Sequence, residues 1–367
     1  MNHHPALRQT ILTPDNAYAA LFRYLRETGA RKILLVHGNS APKLAVWRYL
    51  TAFSSRLAIT VLPFTDFSPN PRCESVASGV TIFREQRCDM MMAIGGGSAI
   101  DVAKCIKLYA EAAAVPFLAV PTTAGSGSEA TRYAVIYRDG EKQSVTDETF
   151  IPSAVLMDPS ALATLPPYQK KSALLDAMCH AVESWWSVNA DETSIGYARE
   201  ALTLILENKD RYLSGDLTAA ARMLYAANLA GRAINITQTT AGHAMCYKLT
   251  SLYGFAHGHA AALCTAVLWP YMAEHMEDCI DRRGKDYLAG VFRDIAMCLG
   301  ARSVGEALDI FPAILREWGL GTNGLPRGSD GATLAKSVHL PRLKNNPVRL
   351  KDSVIAELYR KISRDFQ

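Results

Sequence analysis

The sequence has little of what would mark a disulfide-stapled, membrane or nucleic-acid-binding chain. Its eight cysteines (Cys73, Cys88, Cys105, Cys179, Cys246, Cys264, Cys279 and Cys298) form no C-x-x-C pair, so no zinc ribbon or redox motif is offered and the thiols are expected to be reduced and mostly buried. No apolar run reaches about 18 residues, and Met1-Asn2-His3-His4-Pro5 is not a basic segment leading into an apolar one. Neither a membrane span nor a signal peptide is expected, and a cytoplasmic location is the default. Charge of one sign is scarce as well: the formal net charge is +4, with Lys and Arg dispersed among acids, which excludes the electrostatic footprint of a nucleic-acid binder. Low-complexity tracts and internal repeats are missing. A chain of 367 residues, 49% hydrophobic and 20% charged, is instead long enough for one large two-lobed unit or two ordinary domains whose partners are small molecules.

What is present changes character halfway. Up to about residue 165, β-rich runs alternate with helical patterns: helix over 18–27, strand over 32–36, helix over 44–54, strand over 58–62, helix over 74–86, strand over 90–94, helix over 99–110 and strand over 117–120. That alternation predicts βα units and a parallel sheet, with ligand contacts at the edge where the strands end. Beyond Leu165-Pro166-Pro167 the chain turns to Ala, Leu and Met at helical spacing, over 170–186, 195–208, 218–236 and 260–276. The expectation is an α/β domain with a parallel sheet over 1–165 and a helical domain over 166–367, with the active site in the cleft between them.

Two strand-to-helix loops stand out. Gly95-Gly96-Gly97-Ser98 follows a strand and opens a helix, where bare backbone N–H groups and a helix N-terminus can meet a pyrophosphate. It matches neither G-x-G-x-x-G nor a P-loop, and three glycines alone are more often only a turn. Pro121-Thr122-Thr123-Ala124-Gly125-Ser126-Gly127-Ser128-Glu129 adds hydroxyls and glycines at the same sheet edge, and the pair favours a dinucleotide site. In the helical half, Asp176 and His180 lie four residues apart and share a helix face, while His243, His257 and His259 lie further on, with Gly254 interrupting the helix between them. One such histidine is more often a hydrogen-bonded core residue. A carboxylate with several imidazoles suits Fe²⁺, Zn²⁺, Mn²⁺ or Co²⁺ and is too rich in nitrogen for Mg²⁺ or Ca²⁺. Such an ion polarises a carbonyl oxygen.

Gly95, Gly96, Gly97 and Ser98 followed by Asp101 and Lys104, the Pro121–Glu129 loop, Asp176 with His180, and His243 with His257 fourteen residues on resemble, in this order, the iron-containing (group III) alcohol dehydrogenase family over nearly the whole chain. The resemblance implies an NAD(P)-binding α/β domain, an all-helical domain, an oligomer, and reduction of aldehydes with NADH or NADPH or the reverse oxidation. It implies metal ligands at Asp176, His180, His243 and His257, with iron foremost and zinc or manganese as alternatives. It also implies nucleotide contacts at Gly95, Gly96, Gly97, Ser98, Asp101, Thr122, Thr123 and Ser126, and at Lys142, which reads equally as a solvated hairpin lysine. Many members carry a histidine four residues after the third ligand, thought to assist proton transfer. Here that position is Tyr247, a candidate donor or a packing tyrosine, and His259 is a second candidate relay or a supporting residue.

The segments 231–243, 243–254 and 342–347 are most similar to a narrower branch that contains phosphonoacetaldehyde reductases of phosphonate biosynthesis. An anionic aldehyde needs a basic partner, for which Arg132, Arg232, Lys248, Arg342 and Lys344 are candidates. The stretch after the first long strand, with Gly38 and Ser40 near Lys43, carries no carboxylate for a ribose, so it is expected to accommodate the 2′-phosphate of NADPH. Alternatives to the reductase are a dehydroquinate-synthase-like lyase that recycles its bound NAD⁺, a general dehydrogenase of neutral short-chain alcohols, and a non-catalytic protein that kept the fold.

Overall fold

The computed structural model describes residues 9–69, 71–138, 141–322, 331–336, 338 and 340–366, with the backbone alone at 141, 142, 340 and 341. The chain forms two compact units, Met1–Leu165 with Ser214–Gly231, and Pro166–Leu213 with Arg232–Gln367. The sequence pattern gave 214–231 to the helical half, whereas it packs with the α/β part.

In the first unit, strands β1 (Thr10–Leu12), β2 (Lys32–His37), β3 (Thr60–Phe64), β4 (Met90–Gly95) and β5 (Phe117–Pro121) are followed by a hairpin of β6 (Tyr133–Arg138) and β7 (Glu141–Thr146), then β8 (Ala154–Leu156). Six of them form a parallel sheet in the order β1-β8-β5-β4-β2-β3, and β6 and β7 pair antiparallel. The central β4 and β5 are buried throughout, as continuous apolar strands covered on both faces must be. Pro63 sits in β3, at the sheet edge where the missing N–H costs no ladder bond. Helices α1 (Ala19–Thr28) and α2 (Ala45–Leu57) bury Leu21, Leu25, Val46, Leu50 and Phe53 in one cluster with Ile33, Leu35, Met90 and Met92. Helices α3 (Cys73–Glu85) and α4 (Gly97–Tyr109) complete the βα alternation. The chain leaves β2 for β3 on one side and returns to β4 on the other, so a crevice opens beyond the carboxyl ends of β2 and β4.

The second unit is helical: α5 (Pro167–Trp186), α6 (Glu192–Leu213), the last turns of α7 (Leu217–Thr237), α8 (Ala241–Tyr253) and α9 (His257–Glu274), then further helices, the last over Asp352–Asp365. Every residue of α9 from Gly258 to Trp269 is buried, the expected fate of a helix apolar on all sides, and it packs against both α5 and α8. Tyr359 of the last helix donates to the Met245 carbonyl at 2.7 Å and ties the C-terminus to α8. Among the described residues no helix is long and apolar enough to cross a membrane.

Candidate functional site

The glycine loops meet at the switch point. Gly38 donates its N–H to the Ile94 carbonyl at 3.3 Å, and Thr122 donates to that of Gly95 at 3.0 Å, which sets the ends of β2, β4 and β5 side by side. Gly96 caps α4 in extended conformation, and Gly96, Gly97, Ser98, Thr123 and Ser126 are half-buried at this edge, with Thr122 beneath them. A Cβ on Gly97 would lie 3.0 Å from Ser126 Oγ, so the two loops already touch. Gly38 is half-buried and Ser40 exposed beside them. The backbone donors, hydroxyls and helix N-terminus of this edge fit a pyrophosphate. The side chain of Lys142 lies outside the described residues; its backbone pairs with Tyr137.

Asp101 is directed inward. Its Oδ1 accepts from Ser128 Oγ at 2.5 Å and its Oδ2 from the Val135 N–H at 3.0 Å, so the carboxylate ties α4 to the second loop and to β6. Lys104, one helical turn on and fully buried, donates to the Thr131 and Tyr133 carbonyls at 2.8 and 2.7 Å and to Ser128 Oγ at 3.2 Å. Burial lowers its ammonium to about 8 against the pull of Asp101 and Glu129. These contacts make Asp101 and Lys104 the struts of the loop; the sequence reading gave Asp101 to the nucleotide and assigned Lys104 no part.

In the second unit α5, α8 and α9 bring four side chains together. One donor atom each of Asp176, His243 and His257 lies within 4.8 Å of the others. His180 Nε2 is 3.8 Å from Asp176 Oδ1, and its ring stacks on His243 at 4.5 Å. Two glycines permit the approach. A Cβ on Gly258 would sit 2.0 Å from the Ser172 carbonyl and 2.6 Å from Asp176 Cβ, and one on Gly242 would sit 2.6 Å from Glu183 Oε1. Larger residues would push α9 and α8 off α5. One carboxylate with imidazole nitrogens converging in a buried spot is a donor set that fits a borderline divalent cation.

Glu183 is the residue that sequence reasoning missed. It lies one turn beyond His180 on α5, is fully buried, and its Oε1 is 2.6 Å from His243 Nδ1. Its Oε2 accepts from both the N–H and the hydroxyl of Thr240 at 2.7 Å. A carboxylate inside the apolar run Ala181-Val182-Glu183-Ser184-Trp185-Trp186 was the available signal, because a buried acid requires partners. With Nδ1 turned to Glu183, His243 presents Nε2 to Asp176 at 3.3 Å. Burial opposes charge on these groups. The imidazoles of His180 and His257 nevertheless hold Asp176 well below the usual carboxylate range, and His243 with Thr240 lowers Glu183. Glu183 and Asp176 in turn raise His243 to about 9. A cation must expel that proton, so apparent metal affinity is expected to rise with pH and level off above about 9. Calorimetric titration with Zn²⁺ across this range checks it, and a flat profile contradicts it.

Of the two proton-relay candidates, only Tyr247 reaches the cluster. Its ring stacks on His257 at 5.8 Å with an interplanar angle of 13°. His259 turns away: its Nδ1 is 3.1 Å from Tyr168 Oη, its ring meets Phe255 edge-on at 5.1 Å, and burial pushes it down to about 4.

Residues 9–159 match the family model described as iron-containing alcohol dehydrogenase, and residues 171–362 match its C-terminal counterpart. The phosphonoacetaldehyde reductase of Streptomyces viridochromogenes is 32% identical over 312 residues, covering 78% of this chain and 79% of that one. A solved iron-containing alcohol dehydrogenase from Thermococcus thioreducens superposes with a TM-score of 0.88 at 22% identity, covering 97% of this chain and 98% of the other, a likeness of fold. The sulfoacetaldehyde reductase of Bifidobacterium kashiwanohense, solved with NAD⁺, gives a TM-score of 0.81 at 25% identity over 97% of each chain. The chain is an oxidoreductase and belongs to the iron-containing alcohol dehydrogenase family.

Proposed function

We propose that the chain reduces a small anionic aldehyde to its primary alcohol, phosphonoacetaldehyde to 2-hydroxyethylphosphonate foremost, with NADPH as coenzyme. The observation that carries the reductase reading is the gathering of buried Asp176, His180 and His243 with half-buried His257 in one spot. These four would hold a divalent metal, iron first among those the donors suit. When bound, the ion supplies Lewis acidity at the aldehyde oxygen and the nicotinamide supplies the hydride. The anionic substrate rests on two relatives, whose names specify a phosphonate and a sulfonate on the same two-carbon aldehyde.

The chain's own residues do the rest. Gly95, Gly96, Gly97, Ser98, Thr122, Thr123 and Ser126 would cradle the pyrophosphate, on a loop that Asp101 and Lys104 keep in place. Glu183 fixes the His243 ring, and burial of Asp176, His180 and His243 keeps bulk water from competing. Tyr247, whose ring stacks on His257, would give the product oxygen its proton.

The NADPH preference follows from Gly38, Asn39 and Ser40, which end β2 without a carboxylate. Consumption of NADPH and NADH should be followed with phosphonoacetaldehyde, sulfoacetaldehyde, succinic semialdehyde and propanal. The reading predicts a higher kcat/KM for the anionic aldehydes and a lower KM for NADPH. Equal or better turnover of propanal would overturn the anionic substrate, and a lower KM with a higher kcat for NADH would overturn the coenzyme preference.

A further inference from the structure

We infer that Arg342 is the residue that selects an anionic substrate, by pairing its guanidinium with the tetrahedral oxyanion of the aldehyde. The inference rests on the anionic-substrate reading above. Arg342 lies in the short helix Leu340–Leu343, about a hundred residues along the chain from the histidine cluster, yet its Cζ stands 5.4 Å from the Tyr247 ring centroid. That ring is the one stacked on His257 at 5.8 Å. The two separations put the guanidinium within about 11 Å of the His257 imidazole. A two-carbon aldehyde held at its carbonyl oxygen beside His257, with a hydrogen bond of about 2.8 Å from its anionic group to the guanidinium, fits within this limit.

The position is built. Arg342 donates from Nη1 to Thr239 Oγ1. Three residues on, Asn345 donates to Gln238 Oε1 and to the Thr239 carbonyl, both at 3.2 Å, and accepts from Asn189 at 3.0 Å. The segment is thus pinned to the Gln238–Thr240 connector that leads into α8, where Gln238 holds a left-handed φ of 60°. A non-glycine residue kept in that conformation marks a connector determined by its surroundings. Among the described residues no carboxylate pairs with Arg342, which is half-buried. A guanidinium carries five donors in a rigid fork, and the fork suits a phosphonate or sulfonate in a way a point charge does not. Of the other candidates, Arg132 is committed to Glu148 at 2.6 Å and Lys344 is exposed, while Arg232 and Lys248 are half-buried.

The test is a specificity split. In Arg342→Met the kcat/KM for phosphonoacetaldehyde and sulfoacetaldehyde is expected to fall about 100-fold, mostly through KM, and at least tenfold more than that for propanal. Arg342→Lys should recover part of the loss, and Lys344→Met should recover wild-type values for all three. Calorimetry with 2-hydroxyethylphosphonate should show binding weakened by a similar factor. If wild type already handles propanal as well as the anions, the anionic-substrate reading fails first. If wild type prefers the anions and Arg342→Met keeps that preference, or Lys344→Met loses it equally, the assignment to Arg342 fails. An equal loss for all aldehydes would make Arg342 a support for Tyr247 and the connector, and would also overturn it.

Discussion

His257→Ala is expected to lower metal content below about a tenth of wild type and kcat by about a thousandfold, with the fold retained. His257 opens α9 and is half-buried, so alanine there follows Ala256 into the helix without leaving a large cavity. Gly258, buried against Ser172 and Asp176, still seats the helix on α5. One of four donors is lost, and with it the imidazole that sits between Asp176 and Tyr247. Elemental analysis after desalting, kcat and a thermal melt read the three parts separately. Full metal content with full activity would show that the cluster is held together for packing alone.

Glu183 gives the second large effect. Glu183→Gln keeps the shape of the side chain and removes the charge that fixes His243, and a 10- to 100-fold weaker metal affinity is expected. Glu183→Ala also leaves the Thr240 N–H and the His243 ring without their buried acceptor, a cost of about 3–5 kcal/mol. Its melting temperature should fall by roughly 5–15 °C. The Gln variant separates positioning from packing, because affinity should drop well before stability does. Metal binding as tight as wild type in Glu183→Gln would reduce the residue to a packing carboxylate.

Much of the architecture can be read from one sequence because the forces that set it are local. β2, β4 and β5 carry apolar runs flanked by turn residues, the pattern of strands buried on both faces of a parallel sheet. β1 and β8 escape notice because three residues show no periodicity. Their pairing joins Thr10 to Ala154 across most of the first unit's sequence. Asp176 and His180 are legible from helical spacing alone. The place of Glu183 is half legible, since an acid in an apolar run signals a partner without naming it. Arg342 and its contact with Thr239 span 103 residues, and no local pattern encodes that. The inward turn of Asp101 is equally hidden, because its partner Ser128 sits 27 residues away on another strand's loop.

The central claim is that a divalent metal on Asp176, His180, His243 and His257 is required for aldehyde reduction. The direct measurement strips the protein with chelator under anaerobic conditions and follows NADPH oxidation by phosphonoacetaldehyde as Fe²⁺, Zn²⁺ or Mn²⁺ is returned in stoichiometric steps. The account predicts activity lost on stripping and restored in proportion to about one ion per chain, most fully by Fe²⁺. Undiminished turnover by protein shown to be free of metal would contradict it.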